Sequence, residues 1–231
     1  AMLLAYRATL EELEMTTSIG ILGGTGPAGR GVGLRLACAG YDVVLGSRDA
    51  GRAAETAATL TPRGQGTVRG ASNEDAATCD VVVVATPWDS AVATVASVKG
   101  SLVGKTVISM VNALTKEGRE LLPLYPPRGS MAAQIAHAAP GAKVTGAFHH
   151  LPAAQMEDLD SGLDADVVIF GDDDAARVQT AELVEAMPGL HAVIAGSMSL
   201  ASAVEAFTAV CISINIRHKA HSYVKLAGMN H

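Results

Sequence analysis

Six residues near the start of the chain, Gly24-Thr25-Gly26-Pro27-Ala28-Gly29, follow the spacing G-x-G-x-x-G. A turn of this kind binds phosphate when it leaves a strand and opens a helix. An apolar run, Ile19 to Leu22, precedes it, and a helical pattern from Pro27 to Ala39 follows. Gly24 permits the tight turn. Gly26 lets the backbone approach a pyrophosphate, and Gly29 lets helix pack on strand. The helix N-terminus then presents its N–H groups to the anion. About twenty residues on, an NAD-binding chain carries an acid for the adenosine ribose. Here that place holds Ser47 and Arg48, with Arg52 one helical turn further. Two guanidinium forks and a hydroxyl suit a ribose 2′-phosphate. Asp49 suits the N-cap of the helix that follows. These residues point to NADP rather than NAD.

Three more segments belong at the carboxyl ends of strands, where open α/β sheets bind ligands. They are Thr86 to Ser90, Asn112 to Leu114 and His149 to Ala153. Trp88, the only tryptophan, serves equally well as packing. If the strand before His149 and His150 continues through them, the two point to opposite sides and at most one faces the cleft. Neither has a cysteine or carboxylate at metal-ligand spacing, so no metal is expected. Gly171 to Asp174 reads as a strand end followed by an N-capped helix. No G-x-S-x-G elbow is present, and no lysine or tyrosine stands out as an acid for a carbonyl substrate. The chemistry on offer is cofactor binding.

The elements that must hold these residues are strands rich in Val and Ile alternating with helical stretches. The strand-like runs are Ile19 to Leu22, Asp42 to Gly46, Gly66 to Ala71, Asp80 to Thr86, Thr106 to Val111, Lys143 to Phe148, Asp166 to Gly171 and His191 to Gly196. Helical patterns cover Pro27 to Ala39, Ala50 to Leu60 and Asp174 to Met187, and a last one runs from Ser197 to Gly228. Uninterrupted apolar strands imply burial on both faces. The expected fold is α/β, a Rossmann-type doubly wound, mostly parallel sheet with a small C-terminal α/β and helical cap. The expected division is an N-terminal extension at 1–17, an NADP-binding Rossmann domain at 18–150 and a small C-terminal segment at 151–231.

Composition fits this. Hydrophobic residues make up 49% and aromatics 3%, so the core must be aliphatic. A net charge of -6 argues against a nucleic-acid surface. Cys38, Cys79 and Cys211 are far apart, which argues against disulfides or a zinc site and fits a reducing cytoplasm. The most apolar stretch, Ser199 to Ile216, contains Glu205 and Asn215 and reads as a buried helix rather than a membrane span. Apolar nearly all round, it calls for cover on more than one side, which a second subunit can supply. Residues 1 to 15 lack the pattern of a signal peptide, and Met15 offers a start alternative to Met2. Residues 1 to 14 are expected to be dispensable.

The segments "IGILGGTGPAGRG", "VVLGSRDAGRA", "ATPWD", "RGSMAAQ", "AFHHLPA", "DADVVIFGDDD" and "VEAFTAVCISINIRHKAHSYVKLAG" together resemble the NADPH-dependent reductases of the deazaflavin coenzyme F420. The resemblance runs from Ser18 to Gly228. It implies a cytoplasmic homodimer exchanging hydride between NADP(H) and coenzyme F420, with these small-molecule coenzymes as its partners. It places Thr25, Pro27, Ala28, Ser47, Arg48 and Arg52 at the adenosine phosphate and pyrophosphate. Thr86, Ser90, Asn112 and Ala153 fall near the ribose and nicotinamide, and His150, Leu151 and Phe207 near the deazaflavin. The segment 151–231 becomes the deazaflavin-binding and dimerisation part. The alternatives are an NADP-linked dehydrogenase or imine reductase of a small substrate, and a non-enzymatic NADP(H) sensor. The densest basic stretch, Ile214 to Lys225, would place Arg217, His221 and Lys225 on one helical face, suited to an anionic coenzyme tail.

Overall fold

The computed structural model describes residues 17–229. The expected extension at 1–17 therefore lies outside the described residues apart from Thr17. Eight strands form one sheet in the order β10-β9-β8-β5-β4-β1-β2-β3. They are β1 (Ser18–Leu22), β2 (Asp42–Ser47), β3 (Thr67–Ser72), β4 (Val81–Val84), β5 (Thr106–Ser109), β8 (Lys143–Gly146), β9 (Ala165–Gly171) and β10 (Leu190–Gly196). Every neighbouring pair is parallel except β8 with β9. The order reverses between β1 and β4, which makes the switch-point crevice. A separate antiparallel hairpin, β6 (Leu114–Glu117) and β7 (Glu120–Pro123), leaves the carboxyl side of β5. The last two strands extend the same sheet.

The inner strands run apolar because both faces are covered, whereas the edge strands β3 and β10 stay partly exposed. Along β4, Val81 and Val83 enter one core and Val82 and Val84 the other, and all four are fully buried. The first core packs under helices α1 (Pro27–Cys38), α6 (Ala153–Glu157) and α7 (Asp174–Glu185). The second packs under α3 (Asn73–Ala76), α4 (Trp88–Val98) and α5 (Met131–Ala138). Helix starts follow local chemistry. Pro27 stands at the start of α1. The Asp49 carboxylate accepts the Arg52 N–H at 3.1 Å and caps α2 (Ala50–Ala58). Asp173 accepts the Ala176 N–H at 2.9 Å and caps α7, as the reading of Gly171 to Asp174 anticipated.

The structure corrects the end of the chain. The final helix, α8 (Ala201–His218), stops ten residues before Gly228. Lys219 turns left-handed at φ 51°, and the Asn215 carbonyl accepts the Ala220 N–H at 3.1 Å. The Asn215 side-chain oxygen then accepts both the N–H and the hydroxyl of Ser222, each at 2.7 Å. The tail runs back along β9, where Asp166 donates its N–H to the Val224 carbonyl at 2.9 Å. Arg217, His221 and Lys225 therefore share no helical face. Arg217 pairs with Glu120 at 3.3 Å, and Lys225 pairs with Asp164 at 2.7 Å.

Helix α8 is long and apolar enough to cross a membrane, yet its inner face packs on the protein. Ala201, Glu205, Thr208, Ala209 and Cys211 are buried, while Phe207, Val210 and Ile214 stay exposed on the opposite face. The expected cover on more than one side is thus supplied on one side only within this chain.

Candidate functional site

The glycine turn closes by two backbone bonds. The Gly24 N–H reaches the carbonyls of Ile21 at 3.1 Å and Gly46 at 2.9 Å. The left-handed position is Gly23, at φ 70°, one residue ahead of the motif. The Gly23 N–H is held by the Asn73 side-chain oxygen at 3.1 Å. Gly24 and Gly29 serve packing, since a Cβ on Gly29 would lie 2.9 Å from the Gly24 Cα. Gly26 differs. A Cβ there would meet only the Gly23 carbonyl oxygen, at 3.8 Å, so the open space lies on the ligand side. Sequence reasoning missed Gly23 and Asn73. The S-x-x-D box of Ser72 and Asp75, which caps the short α3, was the available signal for Asn73.

From this turn a groove of about 560 Å³ crosses the carboxyl end of the sheet. It is lined by Thr25, Gly26, Pro27 and Ala28, by Ser47, Arg48 and Arg52, and by Thr86, Ser90 and Asn112. Trp88 and Asn73 also line it. Arg48 and Arg52 are exposed, and neither forms an ion pair with a described residue. The Ser47 hydroxyl oxygen accepts the Asp49 N–H at 3.2 Å, and the Ser90 hydroxyl donates to the Pro87 carbonyl at 3.1 Å. Thr86 Oγ1 is buried with no protein partner. A free guanidinium pair, an orphaned hydroxyl and an open glycine cradle fit a long anionic dinucleotide.

A second groove, about 350 Å³, lies beside the first. It is walled by Phe148, Leu151, Pro152, Ala153 and Ile212, with both histidines and Thr208 among its polar groups. Ala28, Met110 and Asn112 line both grooves. The strand does not continue through the histidine pair, because β8 ends at Gly146 and Phe148 turns left-handed at φ 66°. The reading that sends the histidines to opposite sides therefore fails: both line the second groove, with ring centroids 6.3 Å apart.

Each histidine is held in one neutral form. His149 stacks on Phe170 with centroids 5.5 Å apart. Its Nδ1 lies 2.9 Å from the Asn112 side-chain oxygen, which can only accept, so Nδ1 donates. Burial pushes the His149 pKa down to about 3, with the neighbouring His150 adding to the effect. His150 donates from Nε2 to the Val204 carbonyl at 2.8 Å, and burial lowers its pKa as well. The Thr208 hydroxyl lies 3.1 Å from the Asn112 oxygen and 3.2 Å from the His149 carbonyl, tying α8 to the crevice. Sequence reasoning passed over Thr208, which carries no motif. Phe207 stands apart from the second groove. It is 47% exposed, touches His150 edge-on at 5.5 Å, and lines an apolar groove between α8 and β7.

Known proteins are similar to this chain. Residues 18–113 match the family described as NADP oxidoreductase, coenzyme F420-dependent. An F420-dependent NADP reductase of Methanocaldococcus jannaschii is 34% identical over 212 residues, covering 87% of this chain and 94% of that protein. The chain belongs to this family. A second F420-dependent NADP reductase, from Methanothermobacter thermautotrophicus, is 31% identical over 90% of the chain and 93% of its own length. A crystal structure of a proposed F420-dependent NADP reductase from Arthrobacter sp. FB24 superposes with a TM-score of 0.77 at 25% identity. It covers 90% of this chain and 97% of that one. Family membership makes the chain an oxidoreductase with NADP(H) and coenzyme F420 as its coenzymes, as the resemblance implied.

Proposed function

We propose that the first groove takes NADP(H), the second takes the deazaflavin of coenzyme F420, and a hydride passes between their rings where the grooves meet. The observation that supports this is the shared wall. Ala28, Met110 and Asn112 line both grooves, so a ring bound in one would meet a ring bound in the other at these residues. When bound, the two rings supply the hydride donor and acceptor. The protein binds and aligns them, since hydride transfer needs reacting atoms about 3–3.5 Å apart.

Gly24, Gly26 and Gly29, with Thr25, Pro27 and Ala28, bring the N-terminus of α1 to the pyrophosphate. Ser47, Arg48 and Arg52 hold the 2′-phosphate. Thr86, Ser90 and Asn112 orient the ribose and nicotinamide, with Thr86 Oγ1 free to take a ligand bond. Ala153, expected beside them, lines the second groove instead and faces the deazaflavin. His150 and Leu151 flank the deazaflavin. Both histidines are neutral near pH 7, so the site offers rigid dipoles rather than a mobile proton. That suits a transfer with no acid step. Phe207, on the outer face of α8, reaches the deazaflavin only through His150, unless a second copy brings the two together.

The same reading assigns 18–150 to NADP binding and 151–231 to the deazaflavin and to dimerisation. A cytoplasmic homodimer follows, with the exposed face of α8 and the adjoining β7 groove as its interface. The test is direct. Protein, NADPH and oxidised coenzyme F420 are mixed, and the visible absorption of the deazaflavin is followed. Bleaching is expected at a rate proportional to protein. NADPH that binds without bleaching the deazaflavin overturns the reading.

A further inference from the structure

We propose that Arg35 is a positioning residue that sets the spacing between the two coenzyme grooves by clamping α6 onto α1. This rests on the assignment of the grooves above. The two helices carry the walls in question. The N-terminus of α1 presents Pro27 and Ala28 to the dinucleotide groove, and α6 begins at Ala153, in the wall of the second.

Arg35 is 6% exposed on a helix that is otherwise apolar on that face. Its guanidinium donates to three carbonyls at the end of α6: Gln155 at 2.8 Å, Met156 at 3.0 Å and Asp158 at 3.1 Å. The last carbonyls of a helix lack intrahelical partners, and a cation there complements the dipole. One turn earlier, Arg30 pairs with Glu157 at 2.9 Å. Between these contacts Gly31 lets the helices touch, because a Cβ there would lie 2.6 Å from the Met156 Cβ. Helix α6 has only five residues and cannot hold its own position. Burial lowers the Arg35 pKa, yet a guanidinium remains charged at any working pH. The clamp is therefore permanent and specific. It fixes the segment from His149 to Glu157 against the helix on which the dinucleotide rests, and hydride transfer is steep in that distance.

The test compares the full chain with Arg35→Met, Arg35→Lys and Gly31→Ala. Amide hydrogen exchange is read at 149–158 and at 23–29, with and without NADPH, alongside NADPH affinity from Trp88 fluorescence. In Arg35→Met, exchange at 149–158 should rise at least tenfold with 23–29 unchanged. NADPH affinity should change less than threefold, and single-turnover reduction of coenzyme F420 should slow at least tenfold. Arg35→Lys should recover part of both losses. If Arg35→Met does not fold, Gly31→Ala, which wedges α6 outward, should give the same split. Unchanged exchange at 149–158, or a full transfer rate in the folded variant, overturns the proposal. Failure of the parent to reduce the deazaflavin overturns the groove assignment instead, and the exchange result still decides the clamp.

Discussion

Glu205 is the one carboxylate on α8 buried by the fold, and it makes a sharp prediction about stability and pH. Its two oxygens accept the N–H groups of Met131 at 2.7 Å and Ala132 at 2.9 Å, at the N-terminus of α5. Burial pushes its pKa up from 4.5 to about 7, and the two N–H groups oppose that rise without cancelling it. Among the described residues no charged side chain acts on it; burial and those two N–H groups account for the shift. The folded value lies above the unfolded one, so the folded chain holds this proton more tightly. The protonated carboxyl's stability is fully present below pH 4.5 and is lost as pH rises through 7. A difference of this size between folded and unfolded chains is worth about 3 kcal/mol.

Glu205→Gln should flatten that slope. The amide stays uncharged, keeps one oxygen for an N–H, and leaves the other N–H unpaired at a cost of about 1 kcal/mol. Against the parent, the variant should be less stable by up to about 1 kcal/mol at pH 5 and more stable by about 2 kcal/mol at pH 8. The assay is urea unfolding of both proteins at both pH values and one protein concentration, because subunit association would also shift the midpoint. Other titrating groups are common to both proteins and cancel in the difference. A gap between variant and parent that is the same at pH 5 and pH 8 refutes the reasoning. So does a parent more stable than the variant at pH 8, which would mean that the two N–H bonds outweigh burial.

Arg48→Ala should raise the Michaelis constant for NADPH by about 10- to 100-fold, the worth of one charge-assisted contact, and leave that for NADH nearly unchanged; equal losses for both cofactors would remove the 2′-phosphate assignment. Thr208→Val should slow turnover about fivefold with NADPH affinity unaltered, because it deletes one hydrogen bond between α8 and the Asn112 network; a change in NADPH binding instead would place Thr208 on the wrong side of the crevice. If the proposed homodimer uses the exposed face of α8, the parent should sediment as a dimer at micromolar protein and Val210→Glu as a monomer; a monomeric parent would refute the dimer, and a dimeric variant would move the interface elsewhere.

The central strands were legible because burial on both faces writes itself into sequence as runs of Val, Ile and Leu. The hairpin β6–β7 was not. Its strands are four residues each and mostly exposed, and it is held from outside, where the Leu121 N–H donates to the Ser213 hydroxyl of α8 at 3.0 Å. Nothing local in Leu114 to Pro123 carries that contact. The end of α8 failed for a related reason. The helical pattern continues past His218, but Asn215 gathers the Ala220 and Ser222 groups that would otherwise extend the helix. A side chain that competes with the backbone ladder is invisible to periodicity.

The same distinction separates the two grooves. The phosphate end is built from short contiguous stretches, a turn after β1 and the end of β2, so residue types and spacing suffice to read it. Apart from Ala28 of the turn, the second groove draws on Met110 to Asn112, Phe148 to Ala153 and Thr208 to Ser222, three segments far apart in sequence with no spacing rule to join them. Asn112 shows what joins them. Its side-chain oxygen meets His149 Nδ1 and the Thr208 hydroxyl, so a residue after β5 fixes the tautomer of a residue after β8 and the seat of α8. An asparagine in that place says little until both partners are known. Because Asn112 also lines the first groove, the residue that organises the second is part of the wall of both. A chain that must align two rings without an acid–base group gains from such a shared wall: whatever fixes one ring's seat fixes the other's, and the distance between them is set by the fold.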